Sequence, residues 1–415
     1  MAGSLFECIG ALSIGPFVSS SIAGKELHTE VFDDGPALFS LVMLASLLGA
    51  GSTTLLATLY GYPISATHGV ISGIIAVALC TGKSGVLDFD GIALVVAGWV
   101  ASPVVGLLAG MLVSACVHFM VIAAPNPQDA ARARQPVLLI ATSAISFLFI
   151  LLKGPPALSD WIDSRYWLAL LLALAGGLVV TAAMHAASRA QERVVVKPES
   201  TQNTGAQFDE PPSGILLTAG PKSDQANPDT GAVRTADVVP TVGRVPMQFD
   251  ELQRPFVPLL VVAGLTVSLA HGANDVGNAV GPLSVIIDVK KYGFVDSSPE
   301  VPFLAVMGGA AGFVTGILLI GSRTISTVAS KIAVLKPHRS FATQIGAAVA
   351  VLGSSVAGLP VSTSHCLVGS LIGVSFAEQL CGIEDAKPDL TMLKKIVIGW
   401  VVTIPAAAAA AAAVY

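Results

Sequence analysis

Charge is what this sequence most lacks. Only 12% of its 415 residues are Asp, Glu, Lys or Arg, against roughly 25% in soluble domains. With 53% hydrophobic residues and a mean hydropathy of +0.76, that shortage excludes an ordinary soluble domain and implies a membrane protein. Strand-like alternation of apolar and polar residues is absent as well, which excludes a transmembrane barrel and leaves a helical bundle. No region is basic enough to hold nucleic acid, and the net charge of −5 says little about partners. The cysteines (Cys8, Cys80, Cys116, Cys366 and Cys381) form no CxxC pair and no Cys/His cluster. They read as small core residues. Met1–Gly24 has no basic n-region, and glycines and serines break its apolar run, so a signal peptide is not expected there. No lipidation motif is visible.

What the chain does have is long apolar runs, over residues 38–60, 91–124, 136–152, 166–188, 256–270, 301–320, 341–357 and 392–415. Several reach the ~20 residues a helix needs to cross a bilayer. The expected fold class is an all-α polytopic membrane protein. One segment differs. From Arg189 to Pro255 the sequence is polar and rich in Pro, Gly, Thr, Asp and Gln, as in KPESTQNTGAQFDEPPSG. Such a composition cannot bury enough apolar surface to offset its ordering entropy. It reads as a disordered loop, and Arg189, Arg193 and Lys197 place it on the cytoplasmic side.

The halves on either side of that loop repeat each other. GYPISATHG (Gly61–Gly69) corresponds to GLPVSTSHC (Gly358–Cys366), with Gly, Pro, Ser and His at matching places. GPFVSSSIAGK (Gly15–Lys25) matches GSRTISTVASK (Gly321–Lys331) in spacing. Gly98-Trp99-Val100 and Gly399-Trp400-Val401 follow in the same order, each with a proline a few residues later, Pro103 and Pro405. Internal repeats in helical membrane proteins point to transporters. The expected organisation is a first membrane repeat over 1–124, connecting transmembrane helices over 125–188, the polar loop over 189–255 and a second repeat over 256–415.

Each copy of the repeated phrase reads as a helix starting at a proline, Pro63 or Pro360, because proline suits the first helical position. Hydroxyls then crowd the first turn: Ser65 and Thr67 in one copy, Ser362, Thr363 and Ser364 in the other. A helix N-terminus offers free N–H groups and partial positive charge, a natural anion cradle to which hydroxyls add neutral donors. The segments that follow, Ile64–Cys80 and Val361–Phe376, are short for a full span, which favours re-entrant hairpins. Simple helix capping by the same hydroxyls is the alternative, and two copies at equivalent positions weigh against it. His68 and His365 either bind ligand or satisfy a neighbouring backbone group.

The third feature is HGANDVGNAVGPL (His271–Leu283), which interrupts the run that begins at Phe256. Asp275 therefore falls at membrane depth, where an ionisable residue is a functional signal by default. Asn274, Asp275 and Asn278 are hard oxygen ligands, and Gly272, Gly277 and Gly281 are expected to let the helix unwind and expose carbonyls to a small hard cation. A protonatable carboxylate coupling transport to H⁺ is the alternative, and a structural Asp paired with a helix N-terminus is a third reading.

GANDVGNAVGPL, together with two P-[VI]-S-x-[TS]-H phrases, resembles the inorganic phosphate transporter (PiT) family over nearly the whole chain except the polar loop. The NDVGNAVGPL form is similar to that of the bacterial and plastid branches. The resemblance implies an inverted-repeat transporter whose two re-entrant helical hairpins meet at the bilayer centre. It implies symport of inorganic phosphate with Na⁺ or H⁺ and no cofactor. Phosphate then falls to Ser65, Thr67, Ser362, Thr363 and Ser364. The coupling cation falls to Asn274, Asp275 and Asn278, with Asp275 and Asn278 as Na⁺ ligands. Pro63, Pro360, Gly272 and Gly277 break or position the helices. Ala66 stands where the family usually has Thr, which removes one hydroxyl from the first tip. The family carries the Asn-Asp motif once per half. A first-half copy would lie roughly 35 residues before Met1 by repeat alignment, so either the chain is incomplete there, the favoured reading, or half the cation site is missing. The lipid bilayer, phosphate, the coupling ion and a second copy in a homodimer are the expected partners. The plasma membrane is the expected location and a plastid membrane the alternative.

Two further readings stay open: a sulfate or other oxyanion permease, and a truncated, non-transporting phosphate-binding regulator. An intramembrane hydrolase would pair Ser65 with His68 or Ser362 with His365 at i,i+3, but catalysis needs one activated nucleophile and an oxyanion site, not two matching copies.

Overall fold

The computed structural model describes residues 2–22, 26–62, 64–154, 156–162, 165–195, 251–296, 299–322, 336–356, 361–383 and 390–415. Pro63, Pro360, most of the polar loop and most of the GSRTISTVASK segment lie outside the described residues. Met1–His185 and Phe249–Tyr415 together form one compact unit, which holds every side chain discussed below.

The described residues are almost entirely helical. In chain order they form α1 (Ala2–Ser13), α2 (Gly15–Ile22), α3 (Pro36–Leu59), α4 (Ala66–Cys80), α5 (Phe89–Val117), α6 (Pro127–Lys153), α7 (Pro156–Ile162), α8 (Tyr166–Val195), α9 (Phe256–Tyr292), α10 (Phe303–Gly316), α11 (Pro337–Val356), α12 (Thr363–Leu380) and α13 (Leu390–Val414). Single π-turns extend α5 over His118–Ile122 and α10 over Ile317–Gly321. Among the described residues, 7 helices are long and apolar enough to cross a membrane. α8 continues to Val195, so the helix ends later than the change of composition at Arg189 suggests.

α4 and α12 are buried helices too short to span. At 15 and 18 residues they rise about 22 and 27 Å, from 1.5 Å per residue, short of a ~30 Å hydrocarbon core. Both are buried on nearly every side, as helices that stop within the membrane must be. α4 packs on α3, and α12 on α11. Gly61 makes the turn into α4 possible. Its φ of 72° lies in the left-handed region, which glycine enters without a Cβ penalty. The Tyr62 N–H donates to the Ala57 carbonyl and the Gly61 N–H to the Thr58 carbonyl, the paired bonds that close a helix through a left-handed glycine.

The halves exchange partners. α12 lies along α5, and α4 lies along α13. The first crossing is glycine-built. A Cβ on Gly106 would meet the Cys366 carbonyl oxygen at 2.3 Å, and one on Gly110 the Ser370 carbonyl oxygen at 2.3 Å. Facing them, Cβ atoms on Gly369 and Gly373 would meet the carbonyl oxygens of Pro103 and Leu107 at 2.1 and 2.0 Å. At the second crossing Gly69 and Gly73 of α4 face Ala407 and Ala411, at 3.7 and 3.4 Å from a notional Cβ. The alanine run of α13 thus has a packing role, since small residues let membrane helices approach closely.

α9 is the central helix. Half of its most apolar window is buried, against 17–39% for the other six spans. It touches α1, α2, α3, α6, α10 and α11. It is also continuous from Phe256 to Tyr292, so the expected unwinding at Gly272, Gly277 and Gly281 does not occur. Close approach explains Gly272 instead: a Cβ there would sit 2.0 Å from the Glu7 carbonyl oxygen of α1, and one on Gly10 would sit 2.0 Å from the Leu269 carbonyl oxygen.

Candidate functional site

The N-termini of α4 and α12 meet beside the middle of α9. Neither helix starts at its proline, contrary to the expectation from sequence. Ser65 is the N-cap of α4, and its hydroxyl accepts from the His68 N–H at 3.3 Å. Ser362 caps α12 in the same way, accepting from the His365 N–H at 3.4 Å. Both serines have extended backbone, the usual conformation of a cap. Capping is therefore the local task of these two hydroxyls. The first N–H groups beyond the caps, on Ala66 and Thr67 and on Thr363 and Ser364, precede the first i→i−4 bond and lack an intrahelical acceptor by helix geometry.

The remaining tip hydroxyls tie the two tips together and tie one of them to α9. Thr67 donates to the Val361 carbonyl at 3.4 Å, a contact between the two copies of the repeated phrase. The same carbonyl accepts from Asn274 Nδ2 at 2.9 Å. Ser364 and Ser362 hydroxyls lie 2.9 Å apart. Thr363 donates to Asp275 Oδ2 at 3.0 Å, joining the tip of α12 to the carboxylate of α9. All five hydroxyl residues singled out in the sequence are thus drawn into one region, along with Asp275 and Asn274.

The three α9 residues play different parts. Asn274 is a clamp: Nδ2 donates to Val361 and also to Asp275 Oδ1 at 2.8 Å, and Oδ1 accepts from Ser355 of α11 at 3.2 Å. Protein groups thus engage both ends of its amide. Asp275 accepts from Asn274 and Thr363 and faces His271 Nε2 at 3.0 Å, one helical turn back. Asn278, one turn further on, is buried with neither amide atom paired. A buried amide without partners costs about 1–3 kcal/mol.

Four participants were not expected from the sequence. Glu7 of α1 places Oε1 3.1 Å from His271 Nδ1, which makes a chain from Glu7 through His271 to Asp275, while its Oε2 is buried and unpaired. Glu7 is the lone charged residue of the Ala2–Ile22 stretch, and that isolation in an apolar context is the signal that could have found it. His271 was within reach too, four residues before Asp275 and so on the same helix face. Ser355 and the Val361 carbonyl carry no sequence signal, because their roles arise only where α11 and α12 meet α9.

Neither histidine of the phrase pairs its ring with the serine three residues before it, whose hydroxyl takes the backbone N–H instead; His365 Nδ1 lies 3.5 Å from the Ser102 hydroxyl of α5. Both rings join a stack that crosses between the halves. His68 lies against Trp99 and His365 against Trp400, at 4.1 and 3.8 Å between ring centroids, and the two histidine rings meet edge-on at 4.7 Å.

Known proteins resemble this chain in sequence and, in one solved structure, in fold. The family described as the phosphate transporter family (PHO4) matches residues 1–411. Inorganic phosphate transporter 2-1, chloroplastic, from Arabidopsis thaliana is 32% identical over 98% of this chain, which spans 64% of that relative's length. A putative phosphate permease from Pyrococcus furiosus is 28% identical over 100% of this chain and 85% of its own. A solved structure described as the sodium-dependent phosphate transporter superimposes with a TM-score of 0.75 at 26% identity, covering 100% of this chain and 88% of its own. With its repeated helix tips, its carboxylate-bearing central helix and a family match along nearly its full length, the chain belongs to the phosphate transporter family, whose members are multi-pass membrane transporters and not enzymes.

Proposed function

We propose that the chain is a secondary transporter of inorganic phosphate, with phosphate held between the N-termini of α4 and α12 and coupled to Na⁺ or H⁺ at Asp275 and Asn278. The observation that carries this reading is the 3.0 Å bond from Thr363 to Asp275. It makes one residue of the anion-facing tip a direct partner of the carboxylate that would take the cation. An anion drawn to the tip and a cation drawn to Asp275 then offset each other's charge, and each changes the geometry offered to the other. The unpaired amide of Asn278 supplies oxygen suited to a small hard cation. The sodium dependence by which the solved neighbour is described favours sodium.

Thr67, Thr363 and Ser364 supply hydroxyls, and the free N–H groups at N1 and N2 of both helices complete the cradle. Ser65 and Ser362 hold those N-termini open by capping them. Glu7 and His271 orient Asp275 from behind. The reciprocal packing of α12 on α5 and of α4 on α13 supports an inverted repeat, in which one set of helices moves against the other to expose the site alternately. The plasma membrane is the proposed location; imaging a tagged full chain separates it from a plastid membrane.

The test is uptake of ³²P-phosphate into proteoliposomes under a Na⁺ gradient, under a pH gradient and under neither. Saturable uptake stimulated by one gradient is the expected result, and the gradient that works names the ion. Absence of saturable uptake under all three sinks the proposal. Full competition by equimolar sulfate would replace phosphate with a broader oxyanion substrate.

A further inference from the structure

The Gly-Trp-Val repeats meet the site described above through the stacked rings of Trp99 and Trp400, and the prolines behind them have no part in it. Pro103 lies inside α5, four residues after Trp99. In an α-helix the Trp99 carbonyl should accept from the N–H of residue 103, and proline has none. A buried carbonyl without a donor is costly, so its partner must be sought. It is found in the other half of the chain. His365 Nδ1 lies 3.2 Å from the Trp99 carbonyl oxygen, and Ser102 donates to the same oxygen at 3.2 Å. Because a carbonyl only accepts, Nδ1 carries the hydrogen in this bond.

The matching contact runs the opposite way. His68 Nδ1 lies 3.4 Å from the Trp400 carbonyl oxygen of α13. Here the proline is Pro405, five residues on, so Ile404 still offers its N–H to Trp400 along the helix. The two ties are therefore unequal. His365 and the Ser102 hydroxyl together replace the missing ladder donor at Trp99, whereas His68 shares an acceptor that α13 already supplies along the ladder. In both rings Nε2 is buried and unpartnered.

From this we infer that His365, and more weakly His68, are positioning residues that fasten each hairpin tip to the proline-bearing helix of the opposite half, so that the two tips hold their separation and move as a pair. Each histidine is the third residue of its helix, and its own N–H is held by the serine cap. The ring thus transmits the position of the opposite helix directly to the hydroxyl-bearing first turn. The functional readout of this inference rests on the phosphate reading; the tie itself does not.

The test uses the geometry of amide side chains. Asparagine places an N–H near the position of Nδ1, and glutamine reaches towards Nε2. The variants His365→Asn, His365→Gln, His68→Asn and His68→Gln are compared in the full chain, for phosphate uptake in proteoliposomes and for thermal unfolding in detergent. His365→Asn is expected to keep a near-native phosphate KM and Tm. His365→Gln is expected to raise KM roughly fivefold, the weight of one lost hydrogen bond at a buried carbonyl that keeps only the Ser102 hydroxyl, and to lower Tm. The His68 pair should show the same order with a smaller spread. In a Pro103→Ala background, where Trp99 regains an in-helix donor, the gap between Asn and Gln at position 365 should shrink. Glutamine outperforming asparagine would mean that Nε2 makes the functional contact and would overturn the inference. So would equal behaviour of the two amides, whether both are active or both inactive, or an undiminished gap in the Pro103→Ala background. If the wild-type chain takes up no phosphate, the transport reading fails, and the Asn-over-Gln order in Tm still decides the tie.

Discussion

Replacing Gly373 with alanine is the sharpest test of how the second helix tip is held. Gly373 lies in α12, where it crosses α5. A Cβ built there would stand 2.0 Å from the Leu107 carbonyl oxygen and 2.8 Å from its carbonyl carbon, and real Cβ atoms essentially never come within 3.0 Å of another atom. The neighbour is backbone, so no rotamer change relieves the clash. The crossing must open by about an ångström. Gly369 and Gly106 lock the same crossing, with notional Cβ contacts of 2.1 and 2.3 Å to backbone oxygens, so α12 cannot pivot locally. Overpacking of this kind costs about 1–3 kcal/mol. Alanine's better helix propensity returns up to ~1 kcal/mol, which leaves a net loss. The control is Gly308→Ala in α10, where nothing lies within 4 Å of the added Cβ and only the propensity gain remains. Thermal unfolding followed by monodispersity in detergent should place Gly373→Ala below wild type by about 1–2 °C, with Gly308→Ala at or above wild type. Equal Tm values for the two variants would refute the close crossing of α5 and α12, and with it the placement of the α12 tip.

Thr363→Val removes the hydroxyl given to Asp275 while keeping the shape. A bond to a charged group is worth about 1.5–3 kcal/mol, so phosphate KM and the half-activating cation concentration should both rise about tenfold or more, with Thr363→Ser close to wild type; unchanged cation activation in the valine variant counts against coupling through this bond. Asp275→Asn should weaken cation dependence more than folding, checked by uptake against cation concentration beside Tm; wild-type cation dependence would remove Asp275 from the cation site. Ser362→Ala deletes a helix cap and should cost roughly 1 kcal/mol of stability, read as a small drop in Tm that Ser362→Asp or Ser362→Asn largely restores. Glu7→Gln leaves His271 a neutral partner and should slow uptake without lowering Tm as far as Gly373→Ala does; uptake at the wild-type rate would make the Glu7–His271 contact incidental.

Much of the site was legible because it is written twice or written against its background. The repeated Gly-Pro-Ser-His phrase drew attention to both helix tips, and Asp275 stood out as a carboxylate inside an apolar run. What the residues do there was less legible. Asn274 looks like a cation ligand by type, yet Asp275 beside it and the distant Ser355 and Val361 engage its amide. The glycines of α9 suggested an unwound helix because glycine is the residue of irregular backbone. In the fold Gly272 is the floor on which α1 lies, and the helix is unbroken. Pro63 and Pro360 suggested helix starts, but the serine two residues later is the better cap, since its side chain can accept an N–H and proline's cannot.

Composition and order alone determined that the chain is a bundle of membrane helices in two related halves, with hydroxyl-rich helix starts and one intramembrane Asn-Asp motif. These follow from local properties: apolar length, proline and glycine placement, and the high cost of a charge in hydrocarbon. Tertiary structure decided which groups meet. Thr363 reaches Asp275 across 88 positions of sequence, Glu7 reaches His271 across 264, and His365 reaches Trp99 across 266. No local pattern encodes such pairings, because they depend on where glycine-lined crossings let helices distant in sequence approach to backbone contact.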